Sequence, residues 1–351
     1  MSLLMVPLDL VWPLVAKVWQ MVHSSMVFFL NRRKLLNSTA ESISDDAVPD
    51  KSNVDGSQTE APVMVARGLK RFYGSHAAVD GVDMEVRKGE IYGFLGINGA
   101  GKTTTIRMLM GIIAAQAGTI TLLGQPTRRT GVKLKRHIGY VSQEQNFYPW
   151  MSCERLGKFV GSFYPTWDRS EFFRLLEVFD IPRQRRVSQL SGGMKAKLAL
   201  ALAIAPKPEL LILDEPTAGL DPAARRDFLD IIVSQARGSG RTTLFSSHLI
   251  DEVERSADRI GIIHAGKMRF EGPLGELRSR VRRLRFTGQP PELGSDFQLW
   301  STQQIDGVDY FTYRASAESW QQLESSADCQ IDTLSLEDIF LACIRSRSLS
   351  P

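Results

Sequence analysis

The sequence predicts an α/β fold built around a mostly parallel sheet, on three observations. Short apolar runs alternate with helix-like segments from residue 63 to about residue 270. Those runs are near-continuous in Ile, Val and Leu, the pattern of strands covered on both faces. A glycine-rich turn, residues 96–103, joins one such run to a helix.

The bulk composition sets the class. At 351 residues, 43% hydrophobic and 23% charged, the chain suits one large globular domain with appendages. A net charge of +4 is compatible with nucleotide phosphates or an anionic membrane surface, but is too small to select a partner. Cys153, Cys329 and Cys343 are scattered and odd in number, which argues against a disulfide framework and for a reducing compartment. Each reads as a small buried side chain.

Residues 1–30 form an apolar N-terminal segment broken by polar positions. At helical spacing Asp9, Pro13, Lys17, Gln20, His23 and Ser24 share one arc, while Leu10, Val11, Leu14, Val15, Val18, Met21 and Val22 lie opposite. With Arg32, Arg33 and Lys34 following, the pattern fits an amphipathic helix lying in a membrane surface. A spanning helix fits poorly, because Asp9 and Lys17 would enter hydrocarbon. A secretory signal fits no better, because no positive charge precedes the apolar run. Two other readings stay open: packing on a partner's helix, or a start of translation further downstream, where Met64 opens the folded domain. Residues 31–62 read as a flexible linker, since from about Asn37 to Pro62 the composition shifts to Ser, Asp, Glu, Asn and Gly, with too few large apolar residues to offset the cost of ordering.

Within residues 63–272, strands are predicted at 91–95, 119–123, 138–141, 210–213, 243–245 and 260–263. A helical lobe of about residues 145–193 is inserted among them, its stretch 151–187 showing no convincing strand. Residues 273–351 change character again, with an Arg-rich run over 277–285, alternating segments at 285–287 and 310–313, and a short helix near 336–344. That reads as a small α+β appendix. The Arg run has no interleaved aromatics, so a solvated helix face is preferred to a nucleic-acid surface.

The sharpest motif is Gly96-Ile97-Asn98-Gly99-Ala100-Gly101-Lys102-Thr103, which matches the P-loop pattern GxxxxGK[ST] between a strand and a helix at 104–110. Glycines let the loop curl so that backbone N–H groups of Asn98, Gly99, Ala100, Gly101, Lys102, Thr103 and Thr104 can face phosphates. Lys102 supplies a full charge to the β- and γ-phosphates, and Thr103 a hydroxyl ligand for Mg²⁺. The run Leu210-Leu211-Ile212-Leu213-Asp214-Glu215 ends an apolar strand in two carboxylates. At the C-terminal edge of a parallel sheet Asp214 can hold the Mg²⁺ shell, and Glu215 can take a proton from the attacking water. Ser191-Gly192-Gly193 opens a further helix whose free N–H groups suit a second anion, here one bound to another copy of the chain.

In this order, with Gln143, Gly219-Leu220-Asp221 and His248, these motifs resemble those of ATP-binding-cassette (ABC) nucleotide-binding domains, a class of P-loop NTPase, over residues 63–270. The resemblance implies ATP and Mg²⁺ as cofactors. It implies that Tyr73, or failing it Phe72, stacks on adenine, and that Gln143 contacts Mg²⁺ or water and couples the two lobes. By the same pattern Ser191 and Gly193 reach the γ-phosphate across a dimer, Asp221 lies at the dimer seam, and His248 contacts the γ-phosphate. Ile97 stands where the family commonly has Pro, and Met194-Lys195 where Gln is frequent; neither change removes a charge or a phosphate-facing glycine.

The ending Ser335-Leu336-Glu337-Asp338-Ile339-Phe340 is similar to that of many ABC-2 type exporter ATPases, as are Phe163-Tyr164-Pro165-Thr166-Trp167-Asp168 and the run 195–205. This implies an export ATPase working as a homodimer at the cytoplasmic face of the membrane, with a separate permease and no nucleic acid. One rival is a soluble cassette ATPase acting on nucleic acid or ribosomes. Another is a module that switches on ATP without turnover, which the presence of Glu215 and His248 disfavours.

Overall fold

The computed structural model describes residues 61–127, 132–285, 293–305, 308–326 and 329–345. The amphipathic segment and nearly all of the linker read from the sequence lie outside the described residues.

The chain opens with a hairpin, β1 (Met64–Tyr73) and β2 (His76–Val86), followed by β3 (Ile91–Leu95) and helix α1 (Lys102–Leu109). Next come β4 (Ala117–Leu122), β5 (Gln125–Pro126), a short α2 (Val132–Lys135) and β6 (Ile138–Val141). The helical lobe contributes α3 (Cys153–Gly161), α4 (Arg169–Val178) and α5 (Gly192–Ile204). Then follow β7 (Leu210–Asp214), α6 (Pro222–Ser239), β8 (Thr242–Ser247), α7 (Ile250–Ser256), β9 (Arg259–His264) and β10 (Lys267–Pro273).

The central sheet has the order β10-β9-β3-β8-β7-β6. All its pairings are parallel except that of β10 with β9. Every residue of β3, β6, β7 and β8 is buried, which fits the near-continuous apolar runs of β3, β6 and β7, while β8 buries four hydroxyl residues around Leu244 and Phe245. Their C-terminal ends lie side by side and deliver the glycine-rich loop, Gln143, Asp214-Glu215 and His248 to one edge.

A second, antiparallel sheet runs β2-β1-β4-β5. The segment expected at 119–123 as part of the parallel sheet belongs here instead, with Ala66 opposite Ile120 and Met64 opposite Leu122. The reason is visible in Thr119-Ile120-Thr121-Leu122: only Ile120 and Leu122 are buried, so the strand has one core face and alternates. The same alternation in Val82-Asp83-Met84-Glu85-Val86 marks β2, with Val82, Met84 and Val86 inward.

In the helical lobe Ser152, Asp168 and Ser191 cap α3, α4 and α5 by accepting from Arg155, Glu171 and Met194 backbone N–H groups. Helix α5 is buried from Leu198 to Ile204 and lies so close to β6 that a Cβ on Gly139 would come within 2.6 Å of the Ala203 carbonyl. Gly157 likewise admits the Phe172 ring between α3 and α4.

After β10 come α8 (Leu274–Arg280), β11 (Val281–Arg285), β12 (Gln298–Ile305), β13 (Val308–Arg314), α9 (Ala317–Ser326), β14 (Gln330–Thr333) and α10 (Leu336–Arg345). The strands form an antiparallel sheet, β12-β13-β11-β14. Leu284, Ala315, Trp320 and Leu323 make a small core of their own. Leu336, Ile339, Phe340 and Cys343 of α10, together with Trp300 of β12, join the main core that also holds Phe270 and Ile260. The Arg-rich run spans α8 and β11 and not a single helix face. Four of its five arginines are ion-paired, Arg278 with Glu254, Arg280 with Glu276, Arg282 with Glu324 and Arg283 with Asp338, and Arg285 donates to the Gln330 side chain.

Among the described residues no helix is long and apolar enough to cross a membrane.

Candidate active site

The glycine-rich loop leaves β3 and turns into α1. Gly101 precedes the helix with φ +111°, and a Cβ there would sit 2.5 Å from the Ala78 carbonyl of β2. Gly99 has φ +79°, so both positions need the freedom of glycine. Helix α1 begins without a side-chain cap, whereas α3, α4, α5 and α6 all have one. Its first N–H groups therefore lack a side-chain acceptor and carry the positive end of the helix dipole, a ready anion seat.

Lys102 is 4% exposed. Its Nζ donates to the carbonyls of Gly96 at 2.7 Å and Ile97 at 3.1 Å, and lies 3.0 Å from Glu215 Oε1. Glu215 Oε2 is 3.1 Å from His248 Nδ1. The three side chains thus form one line from the loop on β3 to the loop on β8. Beside them Thr103 Oγ1 donates to Asp214 Oδ1 at 3.1 Å.

Ser246 ties the Asp214 carboxylate to the Glu215 backbone. Its hydroxyl donates to Asp214 Oδ1 at 2.9 Å and accepts from the Glu215 N–H at 2.9 Å. Burial pushes the Asp214 carboxyl above its usual range, and the hydrogen bonds from Ser246 and Thr103 pull against that shift. Glu215 itself has φ +45°, an αL conformation that costs a non-glycine residue strain and persists where surrounding contacts hold it. Sequence reading missed Ser246. The signal was present, since two serines end an apolar strand immediately before His248.

The remaining expected residues fall around this cluster. Asn98 is exposed on the loop, Ala100 is buried with its N–H on the Ile97 carbonyl at 3.1 Å, and Thr104 is half-buried in the first turn of α1. Gln143 is exposed two residues beyond β6, level with Glu215 beyond β7, because Val141 pairs with Leu213. Tyr73 ends β1, 48% exposed, with the Arg71 guanidinium 4.9 Å from its ring centre, and Phe72 beside it is 36% exposed.

Ser191, Gly193 and Asp221 make local contacts of their own. Asp221 caps α6 through the Ala224 N–H at 2.9 Å, and that bond holds its carboxyl below the usual range. A Cβ on Gly193 would touch Leu220 at 3.1 Å, so the start of α5 and the Asp221 turn are neighbours. Among the described residues no hydrogen bond or ion pair joins these three directly to Lys102, Asp214 or Glu215.

This fold and this loop, with a buried lysine and paired carboxylates at the sheet edge, define a P-loop nucleotide-hydrolysing cassette. The comparisons give its kind. Residues 79–218 match the ABC transporter family model. The bacitracin transport ATP-binding protein BcrA of Bacillus licheniformis is 37% identical over 217 residues, covering 61% of this chain and 71% of that protein. A Nod factor export ATP-binding protein I of Paraburkholderia xenovorans is 36% identical over 293 residues, covering 78% of this chain and 94% of that protein. A solved ATP-binding subunit of an ABC transporter, 27% identical, superposes with a TM-score of 0.57 over 62% of this chain and 92% of its own. A bacterial ABC transporter cassette solved as a dimer shares the fold at 20% identity, with a TM-score of 0.56 over 60% of this chain and 98% of its own. The chain belongs to the ATP-binding subunits of ABC transporters, and its cassette is an ATPase.

Proposed function

We propose that this chain powers export through a separate membrane permease, as an ABC-2 type ATPase that closes head-to-tail with a second copy around MgATP. The observation that carries the reading is the line Lys102–Glu215–His248 beside the Thr103–Asp214 pair. It sets a phosphate-binding cation, a carboxylate base and a histidine within hydrogen-bond reach of one another.

The donor set suits the cofactors. Thr103 and Asp214 offer two hard oxygens, and Mg²⁺ is commonly held by one or two protein oxygens plus phosphates and water. Among the described residues no cluster of three or more acidic, His or Cys side chains forms an all-protein metal cage. When bound, Mg²⁺ would neutralise charge on the phosphates, held by Thr103 and Asp214 with Gln143 nearby. The loop N–H groups from Asn98 to Thr104, apart from that of Ala100, which the Ile97 carbonyl takes, would cradle the phosphates, and Tyr73 would stack on the base.

Lys102 would exchange its contact with Glu215 Oε1 for phosphate oxygens. That leaves the carboxylate free to take a proton from the attacking water. His248, which holds Glu215 Oε2, would keep the carboxylate aimed and reach the γ-phosphate. Ser191 and Gly193, which among the described residues make no hydrogen bond or ion pair to this cluster, would serve the nucleotide of the partner copy, with Asp221 at the seam.

Export is supported by relatives whose names include Nod factor export and bacitracin transport, and by the linearmycin resistance ATP-binding protein LnrL of Bacillus subtilis, 37% identical over 224 residues. On this reading the chain works at the cytoplasmic face, residues 63–272 forming the ATPase unit and 273–351 an appended α+β unit.

The test is a pull-down of tagged Glu215→Gln protein from native membranes in mild detergent with ATP present. Recovery of a multi-span membrane protein at near-equal abundance supports the transporter reading. Recovery only from the soluble fraction, with ribosomal or nucleic-acid partners, overturns it in favour of a soluble cassette ATPase.

A further inference from the structure

We propose that Glu252 is a positioning residue for hydrolysis: its buried carboxylate ties together the turn after Glu215, the backbone around His248 and the helix that Asp221 caps. The proposal rests on the reading that Glu215 and His248 carry hydrolysis.

Glu252 lies on α7 and is 3% exposed. Its Oε1 accepts from Thr217 Oγ1 at 2.6 Å, and its Oε2 from Ser247 Oγ at 2.6 Å. Ser247 Oγ in turn accepts from the Leu249 N–H at 2.9 Å. The residues on both sides of His248 are therefore held by one hydroxyl, and that hydroxyl is held by Glu252. Thr217 stands two residues beyond Glu215, so the other arm of the carboxylate fixes the turn that carries the base.

A third arm reaches the Asp221 turn. Arg225 Nε is 3.2 Å from Glu252 Oε1, as an ion pair and not an aligned hydrogen bond. Arg225 Nη2 donates to the Leu220 carbonyl at 3.3 Å, one residue before Asp221.

The position of this carboxylate explains why the tie matters. Pairing between β7 and β8 ends at Asp214 opposite Ser246. Beyond that point Glu215 and His248 belong to two loops, and their 3.1 Å contact depends on what holds those loops together. The Glu215 N–H on Ser246 is one link, and the Glu252 carboxylate is the next. Burying a carboxylate is costly unless it is paired and fully hydrogen-bonded, and an apolar side chain would fill the site at less cost. A carboxylate accepts at both oxygens, so one group can take both hydroxyls and the guanidinium at once.

The test is steady-state MgATP hydrolysis by the full chain carrying Glu252→Ala or Glu252→Gln, in wild-type and His248→Ala backgrounds, with the melting temperature of each variant. Glu252→Ala should lower kcat by about 10-fold or more while KM for MgATP stays within about 3-fold, because the phosphate loop is untouched. Glu252→Gln, which keeps the shape and one acceptor, should recover kcat to within about 3-fold of wild type. In the His248→Ala background the Ala substitution should cost clearly less than in the wild-type background, since one of the two groups it positions is gone and only the arm to the Glu215 turn is left to lose.

An equal loss in both backgrounds, or a wild-type kcat in Glu252→Ala, overturns the proposal. If Glu252→Ala does not fold, Thr217→Val and Ser247→Ala decide it: each removes one arm, and wild-type kcat in both overturns it. Glu215→Gln is measured in parallel. If that variant still turns over like wild type, the assignment of the base falls and the role of Glu252 falls with it; if only the Glu252 variants are silent, the base stands and the positioning role alone fails.

Discussion

The ammonium of Lys102 and the carboxylate of Glu215 face each other at 3.0 Å, each side chain less than a tenth exposed. Lys102 opens α1, which follows β3, and Glu215 stands one residue beyond β7, so this pair joins the ends of two strands that are not neighbours in the sheet. Such a pair is costly to break from one side, because the remaining partner keeps a buried charge.

Lys102→Met should therefore destabilise the nucleotide-free protein by about 3–5 kcal/mol, the range for removing one partner of a buried pair. The double variant Lys102→Met with Glu215→Gln should recover most of that loss, because neither charge is then stranded. Chemical denaturation of the four proteins reads the coupling directly. Additive losses would show that the two groups do not stabilise one another. Glu215→Gln alone should keep ATP binding while lowering hydrolysis by about 10²–10⁴-fold, the usual contribution of a general base.

Ser246→Ala tests the next link. The substitution leaves the Glu215 N–H without its acceptor and removes a donor from Asp214, both buried. An unsatisfied buried polar group costs about 1–3 kcal/mol, so a loss of that size in denaturant is expected. Hydrolysis should fall further than stability explains, since the αL turn at Glu215 is then less firmly held. Ser246→Thr, which keeps the hydroxyl, should stay close to wild type in both measurements.

How much of this site was legible follows from the kind of signal each residue leaves. Lys102, Thr103, Asp214, Glu215 and His248 stand at the ends of short strands with an apolar run or inside a glycine pattern, and the structure gathers all five at one sheet edge. Ser246 stood at the end of such a strand and was passed over, whereas Thr217, Arg225 and Glu252 leave no such mark. They are ordinary polar residues whose partners lie about thirty positions away, and only packing of α6 and α7 against β8 brings them together. The same limit applied to β4. Its composition announced a strand, but whether a strand joins a parallel or an antiparallel sheet is decided by which faces are covered, and Thr119 and Thr121 were the clue. At the C-terminus, the pairing of Arg278, Arg282 and Arg283 with acidic partners from α7, α9 and α10 was equally invisible, because those partners are tertiary neighbours.

The cysteines give a pH-dependent prediction. Burial pushes the Cys343 thiol up to about 12 and raises that of Cys153 as well, whereas Cys329 is only half-buried. A thiol whose folded pKa is raised binds its proton more tightly in the native state. Its contribution to stability is complete below the unfolded value of about 8.5 and is lost as pH rises from there toward 12. Cys343→Ser should flatten the fall in unfolding free energy measured between pH values of about 8.5 and 10. With a thiol reagent at neutral pH, Cys329 should react first, and Cys153 and Cys343 only on unfolding.

The C-terminal helix supplies the last prediction. Phe340 is 5% exposed and sits with Leu336, Ile339 and Cys343 of α10 in the core that includes Trp300, Phe270 and Ile260. Helix α10 thus has its apolar face on the same core as the central sheet, although a separate four-residue core lies beneath the C-terminal sheet. Truncating a buried Phe to Ala costs about 3–5 kcal/mol, through lost transfer energy and the cavity left behind. If the C-terminal elements and the ATPase unit fold as one cooperative body, Phe340→Ala should lower a single unfolding transition and the ATPase activity should disappear along it. If they fold apart, calorimetry should show a second, early transition while the nucleotide site keeps its wild-type melting temperature. Trp320→Ala is the matched control, since Trp320 belongs to the small core and donates its indole N–H to the Arg280 carbonyl at 2.9 Å. Its loss should loosen the C-terminal sheet first, so the order in which the two variants affect hydrolysis on warming distinguishes a shared core from an appended one.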